Sequence, residues 1–306
     1  MTTETKKDTQ AAGIDSKVKR VVANIRNLPT PPIVFHQIQK VINDPRAGAT
    51  QVAAVLAEDP AMSVKVLKLT NSAFYGLARE VESVKQAVVI VGMEAVKNLV
   101  LSASVLDMFK GGGVDQEYQE SFWRHSLATA FCCRLLARRI KSRGIVDPDA
   151  AFSAGLLHDM GKIVVCCYLP DEFAALQAAR KEDQAHLDCE IETSVLGYDH
   201  AQVGSVLAVQ WKLPQKLADA IACHHVPQLS ESDSPIAYIV HLADYVAKAT
   251  FYDAGAEAHR IGKLQDGVAD YLGITEADVD LYGELLREEY MRAETFMQMA
   301  GINSAA

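Results

Sequence analysis

Asp147-Pro-Asp-Ala-Ala-Phe-Ser-Ala-Gly-Leu-Leu-His-Asp-Met-Gly-Lys162 is the stretch on which the fold class turns. A capping aspartate followed by a first-turn proline opens a helix. The small and apolar residues behind it predict a buried helix running to Gly161, with His158 and Asp159 side by side in its last turn. Ala151, Ala154 and Gly155 lie behind His158 on the same face, so another helix can approach closely and leave space for an ion. The vicinal pair offers that ion one nitrogen and one carboxylate.

The surrounding sequence also reads as helices. Val18, Val21, Val22 and Ile25 recur at helical spacing from Ser16, Leu28-Pro-Thr-Pro-Pro32 interrupts the pattern, and Ile33 to Ile42 resumes it. Thr50 is expected to cap a helix through Glu58, and Pro60 to begin the next, ending near Thr70. Ser83 with Gln86 has capping-box spacing before the apolar run Ala87 to Val91, which Gly92 closes in the left-handed conformation, and Glu94 to Met108 follows. Beyond Gly111-Gly-Gly113, a natural boundary between an N-terminal bundle and a larger C-terminal part, the helices predicted are Gln116 to Ile140, Ala201 to Trp211, Pro214 to Cys223 and Pro235 to Lys248. Thr275 with Asp278 caps a last helix through Met299, ended by Gly301. No alternating segments are joined by an Asn-Gly or Asp-Gly turn, so the fold class is all-α.

Composition narrows the function. The 30 Lys and Arg against 39 Asp and Glu give a net charge of −9, which disfavours broad electrostatic binding to nucleic acid or to an anionic membrane. Glu94, Lys97 and Asn98 interrupt the most apolar region, Ala87 to Phe109, and argue against a spanning helix. The N-terminus lacks the apolar core of a signal peptide, so a cytoplasmic location is expected. Cys132-Cys133 and Cys166-Cys167 lack the spacing of a zinc or redox motif and read as buried thiols, as does Cys223.

The helices place His125, His158, Asp159, His200, His224, His225 and Asp244 in one domain. Five imidazoles and two carboxylates suit a site for one or two first-row ions such as Fe, Mn or Zn, a carboxylate bridging a pair. The competing reading is ordinary core or surface histidines, to which His36, His186 and His259 are assigned. Lys162 is either a cation for a phosphate or a solvent-facing lysine at a helix C-terminus. His241, one turn before Asp244, either donates to that carboxylate as an outer partner or lies outside the site. Asn71-Ser72 marks a helix end before a turn at Gly76, or else a partner-binding surface.

Leu28-Pro-Thr-Pro-Pro32, Asp59-Pro60, Leu69-Thr-Asn-Ser-Ala-Phe-Tyr-Gly76, Ser83-Val-Lys-Gln-Ala87, Val91-Gly-Met-Glu94, Trp211-Lys-Leu-Pro214 and His224-His225 resemble the motifs of the HDOD family. That family is related to the HD and HD-GYP metal-dependent phosphohydrolases. The resemblance covers roughly residues 20 to 250. Together with the solvated tail and the last helix read from the residues themselves, it gives the expected organisation: a tail over residues 1–14, an N-terminal helical bundle over 15–110, and an HD-like helical domain with a C-terminal helix over 114–306. It also implies a stand-alone signalling protein with a protein partner and a retained metal site without turnover; the alternative is a metal-dependent phosphohydrolase acting on a phosphorylated nucleotide or cyclic dinucleotide.

Carried over from the HD-GYP phosphodiesterases, His125, His158, Asp159 and Asp244 hold a first ion, and Asp159 bridges to a second held by His200, His224 and His225. In an active site Asp159 and Lys162 are then the catalytic candidates. The chain departs from the HD-GYP pattern after the paired histidines: Val226-Pro-Gln-Leu-Ser-Glu-Ser-Asp-Ser-Pro235 replaces a Glu and the Asp-Gly-x-Gly-Tyr-Pro run. The N-terminal bundle is expected to pack on the second domain and restrict access to the metal pocket.

Overall fold

The computed structural model describes residues 16–25, 28, 31–108, 116–140, 144–183, 185–231, 235–252 and 258–302. Among them there is no strand, and the chain is all-α. The tail and Gly111-Gly-Gly113 lie outside the described residues.

The N-terminal helices are α1 (residues 16–24), α2 (Ile33–Ile42), α3 (Ala49–Ala57), α4 (Pro60–Thr70), α5 (Val84–Val91) and α6 (Met93–Met108). Asp59 and Ser83 cap α4 and α5 by accepting from the backbone N–H groups of Met62 and Gln86. Two details differ from the sequence reading. Helix α3 begins two residues early, at Ala49: Gly48 stands at the cap in place of Thr50, and the Gln51 side chain accepts from the Gly48 N–H. Gly92 has a positive φ of 96° but a ψ of 159°, so it turns the chain in an extended conformation open to glycine, and α6 starts at once.

The larger part comprises α7 (Gln116–Arg139), α8 (Pro148–Leu157), α9 (Met160–Tyr168), α10 (Pro170–Glu182), α11 (Asp188–Leu196), α12 (His200–Gln210), α13 (Gln215–Cys223), α14 (Ile236–Phe251), α15 (Ala258–Ile261), α16 (Val268–Leu272), α17 (Glu276–Tyr290) and α18 (Glu294–Ala300). Thr275 and Asp278 form the expected box, but a 3-10 turn at Met291–Ala293 divides the last helix before Gly301 ends it. Helices α7, α8 and α14 pack on one another, with α13 against α8 and α14, and α12 against α9. Pro148–Tyr168 is apolar enough by composition to cross a membrane, yet 83% of its most apolar window is buried inside the protein.

One apolar core runs through both parts. Helix α6 packs on α8, and α18 returns to touch α4, α6 and α7. Phe74, from the turn after α4, is the knot: its ring lies 5.4, 4.8 and 5.0 Å from those of Phe131, Phe152 and Phe296. The buried Arg134 guanidinium stacks 3.5 Å over that ring and donates to the Phe74 carbonyl at 2.7 Å. The turn is held open to this role by Asn71, whose side-chain amide exchanges two hydrogen bonds with the Val81 backbone. Asn71-Ser72 is therefore a helix end.

Close backbone approach positions the vicinal pair. A Cβ on Gly155 would lie 2.8 Å from both Ala130 Cα and Cys133 Sγ, and one on Gly161 would overlap the His200 carbonyl and lie 3.0 Å from Gly204 N. Backbone atoms cannot move aside as a side chain can. Gly161→Ala is thus expected to cost about 3 kcal/mol of stability in urea melts, with α9 and α12 forced apart; a melt matching the native chain would contradict this packing.

Candidate metal centre

The vicinal pair is not the last turn of one helix. Helix α8 stops at Leu157, and His158 and Asp159 form the turn into α9. Asp159 has φ −96° and ψ 11°, in the bridge region that ends regular helix. His158 stabilises the break: its Nδ1–H donates to the Gly155 carbonyl at 2.7 Å, a group left without a helical partner at the C-terminus. His224 repeats the device at the end of α13, donating from Nδ1 to the Ile221 carbonyl at 2.8 Å. A carbonyl only accepts, so both rings carry a proton on Nδ1 and turn Nε2 inward.

The other rings converge on the same point. His200 is the first residue of α12, behind an Asp199–Gln202 capping box, and Glu192 on α11 receives both its backbone N–H, at 2.8 Å, and its Nδ1–H, at 2.6 Å. His125 comes from α7, His225 follows His224, and Asp244 stands on α14. Three overlapping donor sets result: His125, His158 and Asp244; His158, Asp159 and His224; and His200, His224 and His225, the donor atoms of each lying within 4.8 Å of one another. Asp159 joins them. Its Oδ1 is 2.9 Å from His200 Nε2 and 3.6 Å from His224 Nε2, whereas its Oδ2 is 3.4 Å from His158 Nε2 and 3.6 Å from His125 Nε2.

These donors fit metal ions better than they fit each other. His225 Nε2 and His224 Nε2 stand 2.9 and 3.2 Å from His200 Nε2, nitrogen facing nitrogen. His125 Nε2 lies 3.0 Å from Asp244 Oδ1 but is misaligned for a hydrogen bond, and both atoms, with His158 Nε2, are buried without a partner. Orphaned buried polar atoms are costly, and a cation satisfies all of them together.

Charge within the cluster follows from burial and neighbours. Burial lowers His125, and it drives His224 and His225 well below the usual histidine range, helped by neighbouring imidazoles. Burial opposes a charged His200 too, but the Glu192 and Asp159 carboxylates together outweigh it and push the ring up to about 9. Without an ion, a proton on His200 Nε2 thus stands where a metal would bind. Burial resists ionisation of Asp159 and Asp244 as well; His158 and Lys162 overcome it at Asp159, and Lys248 and His125 at Asp244, holding both carboxyls well below their ordinary values.

Lys162 is not solvent-facing. It lies in the first turn of α9, its side chain only 10% exposed, with Nζ 2.8 Å from Asp159 and 3.5 Å from Asp188. His241 does not reach Asp244. Its Nδ1–H donates to the His224 carbonyl at 2.7 Å and its Nε2 accepts the Gln265 N–H at 3.0 Å, so it is a neutral brace for the backbone of a ligand. Of the residues set aside, His186 bonds Asp183 at 2.8 Å and lines the cavity rim, while His36 lies away from the site beside Phe35.

Sequence reading missed Glu192, Lys248, Asp188, Arg180, Tyr252 and Arg260. Lys248, bonded to Asp244 at 2.7 Å, was visible as a four-residue helical spacing, as was the Asp188–Glu192 pair that holds Arg180 at 3.0 and 3.3 Å.

Two cavities of about 240 Å³ open on the cluster. One lies over His125 and Asp159 and is lined by Lys162, Arg180, Tyr252 and Arg260. The other lies over His200, His225 and Asp244 and adds Lys248 and Lys263. Among the described residues none of those lining either cavity precedes Tyr118, so the N-terminal bundle does not cover the site: it packs on α8 and α18 instead.

The HDOD domain model matches residues 28–227. The chain belongs to the HDOD family. It is 26% identical over 228 residues to an uncharacterised protein of Treponema pallidum, covering 73% of this chain and 43% of that one. It is 32% identical over 155 residues to ribonuclease Y of onion yellows phytoplasma, covering 51% of this chain and 21% of that enzyme. The chain thus spans less than half the length of these two curated relatives. Among solved structures, an HDOD domain protein of unknown function from Geobacter sulfurreducens superposes with a TM-score of 0.70 at 23% identity, over 95% of this chain and 97% of that one. A Shewanella amazonensis protein provisionally named a phosphohydrolase gives 0.69 at 25% identity, over 94% and 98%.

A centre of this kind makes stability depend on metal. Adding a chelator to metal-loaded full chain is expected to lower its melting midpoint by about 5–10 °C, reversed by Mn(II), whereas Asp159→Asn should melt alike with and without chelator. A chelator-insensitive midpoint in the native chain would count against the centre.

Proposed function

We propose that this chain is a cytoplasmic HDOD signalling protein that retains a two-metal centre and uses it to hydrolyse a phosphoester. One observation carries the reading: Asp159 turns Oδ1 to His200 and His224 and Oδ2 to His158 and His125, at the floor of a cavity whose lining includes Lys162, Arg180 and Arg260. Ions would be held by His125, His158, Asp159 and Asp244, and by Asp159, His200, His224 and His225, and would supply an activated water and positive charge for the phosphoryl oxygens. The protein's own groups do the rest. Lys162 and Arg180, fixed by Asp159, Asp188 and Glu192, present positive charge to a phosphate entering the cavity. Glu192 holds the His200 ring with Nε2 inward, and the Gly155 and Ile221 carbonyls do the same for His158 and His224. Six free cysteines, three of them buried and three half-buried, support a reducing compartment.

A second reading, ligand binding without turnover, rests on Val226. This apolar residue lines the cavity beside His225 where the HD-GYP pattern carries a Glu. In that case the occupied centre fixes a conformation read by a protein partner.

Turnover separates the two. The full chain loaded anaerobically with Mn(II) or Fe(II) is expected to hydrolyse bis(p-nitrophenyl) phosphate, with kcat falling more than about 100-fold in Asp159→Asn and about 10-fold or more in Lys162→Met. Stoichiometric metal with no turnover of this diester or of nucleotide esters would select the binding reading.

A further inference from the structure

We propose that Tyr252 contacts the ligand of the metal centre directly, its hydroxyl donating a hydrogen bond to a phosphoryl oxygen. This rests on the reading that the centre takes a phosphoester. Tyr252 lies beyond residues 28–227, which the family model matches, so the family resemblance does not supply it.

Helix α14 puts the residue there. Asp244, Lys248 and Tyr252 recur at every fourth residue, and residues so spaced share one helix face. Tyr252 still belongs to that face because its N–H donates to the Lys248 carbonyl at 2.9 Å, closing the helix. The stripe thus carries a candidate metal ligand, the lysine bonded to it at 2.7 Å, and a phenol. The phenol ring packs against the Arg260 guanidinium, 5.1 Å from its centroid, with the His125 ring 6.1 Å away.

Its hydroxyl is an uncommitted donor among committed ones. Tyr252 and Arg260 line both cavities over the cluster. The other charges facing the first cavity hold one another: Lys162 lies against Asp159 and Asp188, Arg180 against Asp188 and Glu192, and His186 against Asp183. In the second cavity Lys248 is bonded to Asp244, and Glu190 accepts the Leu187 N–H. These cations lend charge to the site, but carboxylates fix where they point. Among the described residues the Tyr252 hydroxyl has no hydrogen-bond partner, and the charges acting on it are Lys248, Arg260 and Lys162, with the Asp244 carboxylate. A phenol ordinarily keeps its proton to about pH 10, so at neutral pH it meets a phosphoryl oxygen as a donor without adding negative charge.

The test is calorimetric binding of inorganic phosphate to the Mn(II)-loaded full chain, with metal content measured on the same samples. Tyr252→Phe keeps the ring against Arg260 and removes one oxygen. The variant should hold as much metal as the native chain, bind phosphate about tenfold or more weakly, and lose a similar factor in kcat/KM on bis(p-nitrophenyl) phosphate. Native phosphate affinity in Tyr252→Phe overturns the assignment and leaves the phosphoester reading intact. Loss of metal together with phosphate also overturns it, because the hydroxyl would then serve the ions and not the ligand. Weakened phosphate binding in the variant, with no ester turned over by the native chain, supports the contact and removes hydrolysis. A native chain that holds metal but binds no phosphate overturns both.

Discussion

The shared carboxylate of Asp159 is the constraint on which the site depends. Its two oxygens face different imidazoles, and around it imidazole nitrogens approach each other at hydrogen-bonding distance with Nε2 inward. A single proton on His200 Nε2 cannot satisfy both the His224 and His225 nitrogens at once, and burial denies them water. The surrounding structure holds them there nonetheless: the Gly155 and Ile221 carbonyls fix two rings, Glu192 fixes a third, and His241 braces the backbone of His224. A cation at the centre satisfies these inward-facing atoms together, including His125 Nε2, His158 Nε2 and Asp244 Oδ1, which otherwise have no partner.

The backbone is arranged for the same end. His158 and His224 end their helices and cap them with their own rings, so the feature that stops the helix also aims the ligand. Gly155 lets α8 approach α7, and Gly161 with Gly204 lets α9 approach α12, near enough for side chains from different helices to meet. The N-terminal helices contribute to this frame through Phe74 and Arg134, since Arg134 lies on the helix that carries His125 and Phe152 on the helix that leads to His158.

Much of this was legible in the sequence, and the failures have physical causes. Capping residues and apolar periodicity located most helices because those signals are local. The seven donors were legible for a similar reason: vicinal and paired histidines with small residues behind them are unusual in a simple core. The break at His158-Asp159 was not, because the apolar run continues through it and a ring-to-carbonyl bond supplies the stop. Glu192 was hidden because its contact with His200 depends on how the chain reverses between α11 and α12. The expected cover over the pocket failed because α6 packs on α8 and α18, an arrangement set by tertiary contacts alone.

Metal content of the full chain, measured by elemental analysis after anaerobic purification without chelators, tests the central claim most directly. Two equivalents of a first-row transition metal per chain are predicted, falling in Asp159→Asn. Less than about one tenth of an equivalent, unchanged after incubation with Mn(II) or Fe(II), would contradict it.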